Sequence, residues 1–346
     1  MDVIASWPAH TDLKGVATWA QQAEQLGFDV IHVPETTHDP FTVAALALAS
    51  TTSITVRTSM VVAFARSPMV TAYAAWDLAK LSDGRFQLGL ASQVRGNIVG
   101  RFSAEWSEPV ARLRDYIGAV RTIFHSFQTG DDLIYLGAHY SFDRLQPYFN
   151  PGPITTALPS IWTGGVSTGM CRLAGEISDG FVCHPTNSHP RVLRELLLPA
   201  IAEGQARAGR HGVGPVLVAG PQPITAATPS AVSKAREARR SELAFLYSTP
   251  AYRPQLELFG LGDLGHTLSA MARSGDWGDL TRHLTDEVIG ELLPQGTYDE
   301  LPAVLAEWYG GLCDGIVLAV PEDATSEAFK EMVQRCRSIP GRGGGA

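Results

Sequence analysis

Several short stretches of this 346-residue chain carry side chains fit for chemistry, and each follows an apolar run. Glu35 and His38 leave Val30-Ile-His-Val33. A carboxylate and an imidazole so close together can position a substrate and move its protons. The same residue types also serve structure. Glu35 could pair with a loop cation or amide, and His38 could cap the helix that Pro40 begins. Gln93 and Arg95 leave Arg85-Phe-Gln-Leu-Gly-Leu90. A glutamine can hold a ring or substrate by hydrogen bonds but supplies no acidic proton. Arg95 and Arg101 make a locally positive loop, suited to an anionic ligand or simply to solvent. Gly164-Gly-Val-Ser-Thr-Gly169 joins an apolar run to a helix. Glycine permits close backbone approach, and the N–H groups of a helix N-terminus bind phosphate; a ligand-free tight turn is the alternative. His184 ends Gly180-Phe-Val-Cys183, where it could face a substrate or stand as a hydrogen-bonded wall residue.

Other motifs fail on context. Gly260-Leu-Gly-Asp-Leu-Gly265 matches G-x-G-x-x-G, but no clear strand–helix–strand unit surrounds it, so a dinucleotide site is rejected. The 10 histidines show no metal-binding spacing, and no metal is expected. No G-x-S-x-G elbow occurs.

The elements that must position these residues are organised around residues 54–96. Ile54 to Val62 is β-branched and apolar, as a buried parallel strand should be. Ser67-Pro68 opens a helix, with serine as N-cap and proline at the first position. The helix stops at Ser82-Asp-Gly84, and Arg85 to Leu90 is the next strand. Further strands are predicted at 2–6, 30–33, 160–163, 180–183, 215–224 and 315–320. Helices at 12–26, 40–49, 109–127, 190–209 and 326–336 alternate with them, and Thr297-x-x-Glu300 is a capping box for a helix to Tyr309. Residues 133–142 read as an inserted hairpin, and 250–295 as a helical insertion. Eight strands alternating with helices predict one (β/α)8 barrel with insertions over residues 1–340, followed by a flexible tail at 341–346. In such barrels the loops after the strands hold the chemistry.

The run Leu81-Ser-Asp-Gly-Arg-Phe-Gln-Leu-Gly-Leu-Ala-Ser-Gln-Val-Arg95 resembles the signature of the bacterial luciferase-like flavin and deazaflavin oxidoreductases, in which a helix ending LS-x-GR precedes a strand xLGxG. Ala91 stands where the last glycine is usual. The tract through Arg101-Phe102, and Leu284-Thr-Asp-Glu287, resemble the subgroup assigned to coenzyme F420. The resemblance implies a luciferase-like TIM barrel. It implies that Gly164, Gly165, Val166 and Gly169 hold the cofactor phosphate. Ser59, Met60, Ala91, Gln93 and Arg95 would complete the cofactor site, with the ring against Ser59-Met60. It also implies a non-prolyl cis peptide at Ser59-Met60, against the alternative of a plain buried strand.

Glu35, His38 and Gln93 are then the catalytic candidates. Thr36-Thr37 interrupt the acidic–His–His pattern of many relatives, and Gln93 replaces a proton-donating glutamate found in some. Trp7, Phe64 and His184 are expected to meet substrate. The expected activity is hydride transfer between reduced F420 and a small organic substrate. Arg95 and Arg101 would pair with the carboxylates of the F420 tail. The alternatives are an FMN-dependent monooxygenase of the same fold and a non-catalytic flavin-binding barrel.

Composition sets the outer bounds. A formal charge of −8 argues against general nucleic-acid binding. No apolar run reaches transmembrane length and no leader precedes residues 1–4, so a cytoplasmic protein that does not bind membranes is expected. The 4 cysteines are scattered, as in a reducing compartment. The expected partners are a small-molecule substrate and, as an open alternative to a monomer, a second copy in a homodimer.

Overall fold

Short runs of Val, Ile, Leu and Ala make the strands, and most of their residues are buried because helices cover the outer face and neighbouring strands fill the inner one. The computed structural model describes residues 1–9, 11–212, 214–276, 279–321, 324 and 326–343. In chain order, β1 (Asp2–Ser6) leads to α1 (Val16–Gln25), and β2 (Val30–Val33) to α2 (Pro40–Ser50). β3 (Thr55–Thr58) and its continuation β4 (Val61–Val62) lead to α3 (Pro68–Leu81). β5 (Phe86–Ala91) is followed by α4 (Arg95–Gly100), α5 (Pro109–Thr129) and the hairpin β6 (Tyr135–Leu136) and β7 (Ser141–Phe142). Next come β8 (Ile161–Gly165), α6 (Thr168–Ile177), β9 (Gly180–Cys183), α7 (Pro190–Val192), α8 (Leu198–Arg207) and β10 (Val216–Ala219). An insertion holds β11 (Ile224–Ala226), α9 (Pro229–Tyr247), α10 (Arg253–Leu258), α11 (Gly262–Ser274), α12 (Asp286–Leu292) and β12 (Gln295–Thr297). The chain ends with α13 (Leu301–Tyr309), β13 (Gly315–Leu318) and α14 (Glu327–Arg337).

The barrel strands are all parallel, and the β3–β5 pairing closes the sheet into an 8-stranded (β/α)8 TIM barrel. The insertion has its own core, in which Ile224, Val232, Leu243, Leu268 and Leu292 are buried together. Among the described residues, no helix is long and apolar enough to cross a membrane.

The start and stop signals act as their chemistry requires. Asp39 accepts from Thr42 N at 3.0 Å and Ser67 accepts from Met69 N at 3.2 Å, each just before a helix-opening proline. Gly84 takes the left-handed conformation at φ 86°. Arg85, the arginine of the LS-x-GR run, reaches the carbonyls of Leu48, Thr51 and Ile54, so it satisfies the end of α2 and the loop after it. Thr297 and Glu300 exchange the reciprocal bonds of a capping box.

Four expectations change. The strand at 54–62 is interrupted by a bulge at Ser59-Met60, between β3 and β4, and the peptide there is cis, as the resemblance implied. The loop after Arg95 begins as a helical turn, α4. The strand at 215–224 ends at Ala219, because Pro221 and Pro223 have no N–H for a ladder; β11 then pairs with β12 outside the barrel. Of the tail expected at 341–346, Arg342 is held by Cys313 O at 3.1 Å and Asp314 at 3.3 Å, and residues 344–346 lie outside the described residues.

Candidate active site

The C-terminal ends of the strands open on a cavity of about 930 Å³. Its floor is Ser6 and His32, from the ends of β1 and β2. One wall is the Ser59-Met60 bulge with Ala91 to Arg95, and the facing wall is Gly164 to Ser167 with Val182 to Pro185. The insertion closes a third side through Ile224, Thr225, Ala235, Ala238, Arg239 and Tyr252.

The glycine loop is shaped by its neighbours. A Cβ on Gly164 would lie 3.2 Å from Met60 and from the carbonyl of Val182. One on Gly165 would lie 2.7 Å from Met170 Cβ. Backbone therefore faces the cavity where any side chain would intrude. Ser167 caps α6 by accepting from Met170 N at 3.3 Å, and its carbonyl accepts from Cys171 N at 3.1 Å. The first two N–H groups of the helix, on Thr168 and Gly169, are left for an outside acceptor. Behind the loop, buried Asn187 donates to Val166 O at 3.0 Å and accepts from Gln255 at 2.7 Å. These residues fit a phosphate group.

The imidazole of His184 stacks on Tyr252 at 4.8 Å, with their planes 19° apart. Its Nδ1 lies 2.8 Å from the Thr186 hydroxyl and 3.4 Å from Thr186 N, and its Nε2 lies 3.3 Å from the Tyr252 hydroxyl. Burial pushes His184 down to about 4 and raises the Tyr252 phenol. Both are neutral near pH 7. On the insertion wall, Arg239 donates to Gln222 at 2.6 Å and pairs with Glu242 at 2.9 Å. The lining residues include no aspartate or glutamate.

The expected site residues divide clearly. Ser59, Met60, Ala91, Gln93, Arg95, Gly164, Gly165, Val166 and His184 all line the cavity. Gln93 does so in a left-handed backbone conformation at φ 59°, with its Oε1 accepting from Val94 N at 2.9 Å. Gly169 is the second residue of α6; its Cα faces Val110 and it is not on the lining, so only its N–H could serve a ligand.

Glu35 and His38 are not brought to the cavity. Glu35 is clamped by Val62 N at 2.7 Å and by Arg66 at 2.8 Å, and its side chain is 6% exposed. It holds the β2 loop to β4. His38 bonds the carbonyl of Thr11 at 3.2 Å, and Asp39 rather than His38 caps α2. Trp7 is buried edge-on against Trp19, and Phe64 is buried against Trp106 and Arg112, so neither reaches the cavity. Arg101 is turned away, donating to Thr36 O at 2.6 Å.

Sequence reasoning missed Ser6, His32, Ser167 and the insertion wall, including Arg239 and Tyr252. Ser167 carries a readable signal as a serine three residues before a helical N–H, the same device recognised at Ser67. The insertion wall carries none, because the contact depends on how a second small core packs over the barrel mouth.

The sequence profile described as Luciferase-like monooxygenase matches residues 3–315. An uncharacterized protein of Mycobacterium tuberculosis is 33% identical over 322 residues, covering 92% of this chain and 94% of that protein. The 5,10-methylenetetrahydromethanopterin reductase of Archaeoglobus fulgidus is 26% identical over 294 residues, 82% of each chain. The coenzyme F420-dependent tetrahydromethanopterin reductase of Methanopyrus kandleri superposes with a TM-score of 0.76 at 17% identity, over 98% of both chains. With the profile covering nearly the whole barrel, the chain belongs to the luciferase-like monooxygenase family, a family of oxidoreductases.

Proposed function

We propose that this protein is an F420-dependent oxidoreductase that moves a hydride between the deazaflavin and a small organic substrate. The observation that carries the reading is the convergence on one cavity of a glycine loop, a helix N-terminus whose first two N–H groups are left for an outside acceptor and a backbone bulge, with Arg95 at its rim. Gly164 to Ser167 and the N–H groups opening α6 would hold the cofactor phosphate. The Ser59-Met60 bulge would support the ring, and Arg95 would meet the acidic tail that F420 has and FMN lacks. Relatives named for F420-dependent activity support this choice over FMN.

When bound, the cofactor supplies the hydride chemistry, and the protein supplies position and electrostatics. Met60, Val182, Ile224 and Ala238 give the substrate an apolar wall and exclude water. The neutral His184–Tyr252 pair offers a hydroxyl that can hold a substrate oxygen or pass it a proton.

The test is to titrate the apo-protein with F420 and with FMN by fluorescence, and then to follow oxidation of reduced F420 anaerobically with alkenes, imines and carbonyl compounds. F420 binding with anaerobic turnover is expected, and Gly165→Asp should weaken that binding at least about tenfold, roughly 1.4 kcal/mol. Tight FMN binding with oxygen-dependent product, and no response to F420, would replace the reading with a flavin monooxygenase.

A further inference from the structure

Arg57 stands on β3 inside the barrel and is 1% exposed. Its guanidinium carbon lies 3.2 Å from the ring centroid of Trp162. Trp162 can lie there because the next strand begins with Gly180, where a Cβ would fall 2.2 Å from the indole. Arg57 Nε donates to Gln87 at 2.7 Å, and Nη1 donates to His32 Nε2 at 3.0 Å. His32, Arg57 and Gln87 are register partners on β2, β3 and β5, so three adjacent strands place them in one layer.

A guanidinium can only donate. Nε2 of His32 is therefore the acceptor, and the single proton of the neutral ring sits on Nδ1. Burial and the Arg57 charge hold His32 well below its ordinary pKa, because a second cation beside the first would have no water around it. Burial lowers Arg57 to about 9, so it keeps its charge at neutral pH. His32 is 3% exposed and forms the cavity floor beside Ser6. Among the described residues its Nδ1 takes no protein partner. The floor thus ends in a neutral N–H donor backed by a buried cation. Such a cation is costly unless negative charge is brought near it.

We infer that Arg57 fixes His32 as an Nδ1–H donor, and that this donor meets the oxygen- and nitrogen-bearing edge of the cofactor ring, where negative charge collects when the ring takes up a hydride. Preorganised donors aimed at developing charge are an effective form of electrostatic stabilisation. The inference rests on the cavity being a flavin or deazaflavin site, and it applies to either ring because both carry the same pyrimidinedione edge. His32 is the contact residue and Arg57 the positioning residue.

The experiment compares the dissociation constants of oxidised and reduced cofactor, measured anaerobically with F420 and with FMN, for the wild type, His32→Leu, His32→Gln and Arg57→Met. In parallel, histidine ring nitrogens are read by ¹⁵N NMR in the wild-type protein. The wild type should show the Nδ1-protonated tautomer of His32, with its N–H resonance moving on cofactor binding. Its preference for reduced over oxidised cofactor should fall about tenfold in His32→Leu and be partly restored in His32→Gln, which keeps a neutral donor. Should Arg57→Met not fold, the His32 pair and the tautomer still decide the matter. An Nε2-protonated His32, or an unchanged preference in a His32→Leu protein that binds cofactor normally, overturns this inference alone. Failure of both cofactors to bind the wild type overturns the proposed function as well.

Discussion

Replacing Glu35 with glutamine separates a catalytic carboxylate from a structural one. Glu35 Oε2 accepts from Val62 N at 2.7 Å and from Arg66 at 2.8 Å, and Oε1 accepts from the same Arg66 nitrogen at 2.9 Å. Arg66 also reaches Asp39 at 2.9 Å. In Glu35→Gln the amide oxygen can keep the Val62 bond, but the ion pair is lost and an NH₂ group is set against a guanidinium. Removing one partner of a buried pair costs about 3–5 kcal/mol. Here Arg66 retains Asp39 and is 18% exposed, so the cost falls to or just below that lower bound, about 2–3 kcal/mol. The assay is the urea unfolding midpoint, read beside cofactor affinity and turnover. The midpoint should drop with an unchanged slope, while affinity and kcat stay within about threefold of wild type. A loss of kcat of the roughly 10²–10⁴-fold size typical of an acid–base group, at an unchanged midpoint, would refute the clamp and restore Glu35 as catalytic.

Stability should also depend on pH through buried histidines. His184 and His189 sit at about 4, with burial as the main cause, and His32 lies well below its ordinary value, whereas each titrates near 6.5 in the unfolded chain. Between those values the unfolded state binds more protons, so stability is full above 6.5 and falls as pH drops toward 4. Urea midpoints across that window should decline with acid, less steeply in His189→Gln; a flat profile would contradict the burial of these rings. Gly89→Ala tests the barrel wall, since the new Cβ would fall 1.9 Å from the carbonyl oxygen of Thr58, whose hydroxyl also bonds Gly89 on both sides. The expected loss is about 3 kcal/mol or more in the same unfolding assay, and a near-neutral effect would mean that β3 and β5 do not pack as described.

Most of the barrel was legible because its signals are local. A β-branched run, a Ser-Pro or Asp-Pro start and a left-handed glycine each act within a few residues. The same locality explains the cavity wall: Gly164, Gly165, Ala91 and Gln93 follow strands directly or end them, and barrel geometry alone delivers them to one end. What the sequence did not show depended on distant partners. Glu35 and His38 also follow a strand, but their roles are decided by Arg66, 31 residues later, and by Thr11, 27 residues earlier.

The hardest feature to read was the one at the centre. In Thr55-Val-Arg-Thr58 an arginine interrupts a buried apolar run, and by sequence logic alone that is a conflict. It is resolved only when the strands curl round. Parallel register puts His32 and Gln87, 25 and 30 residues away, beside the guanidinium, and Gly180 clears the space for Trp162 beneath it. A charge that breaks the pattern of a buried strand therefore has two solutions, an ion pair or a polar layer. Arg57 has taken the second, with no carboxylate bonded to it among the described residues. An ion pair would have neutralised the charge locally. A polar layer leaves it only partly offset, by the Asp2 carboxylate that is near but not bonded to it, and directs it along a single hydrogen bond to a ring on the cavity floor, which is where a ligand gaining negative charge would feel it.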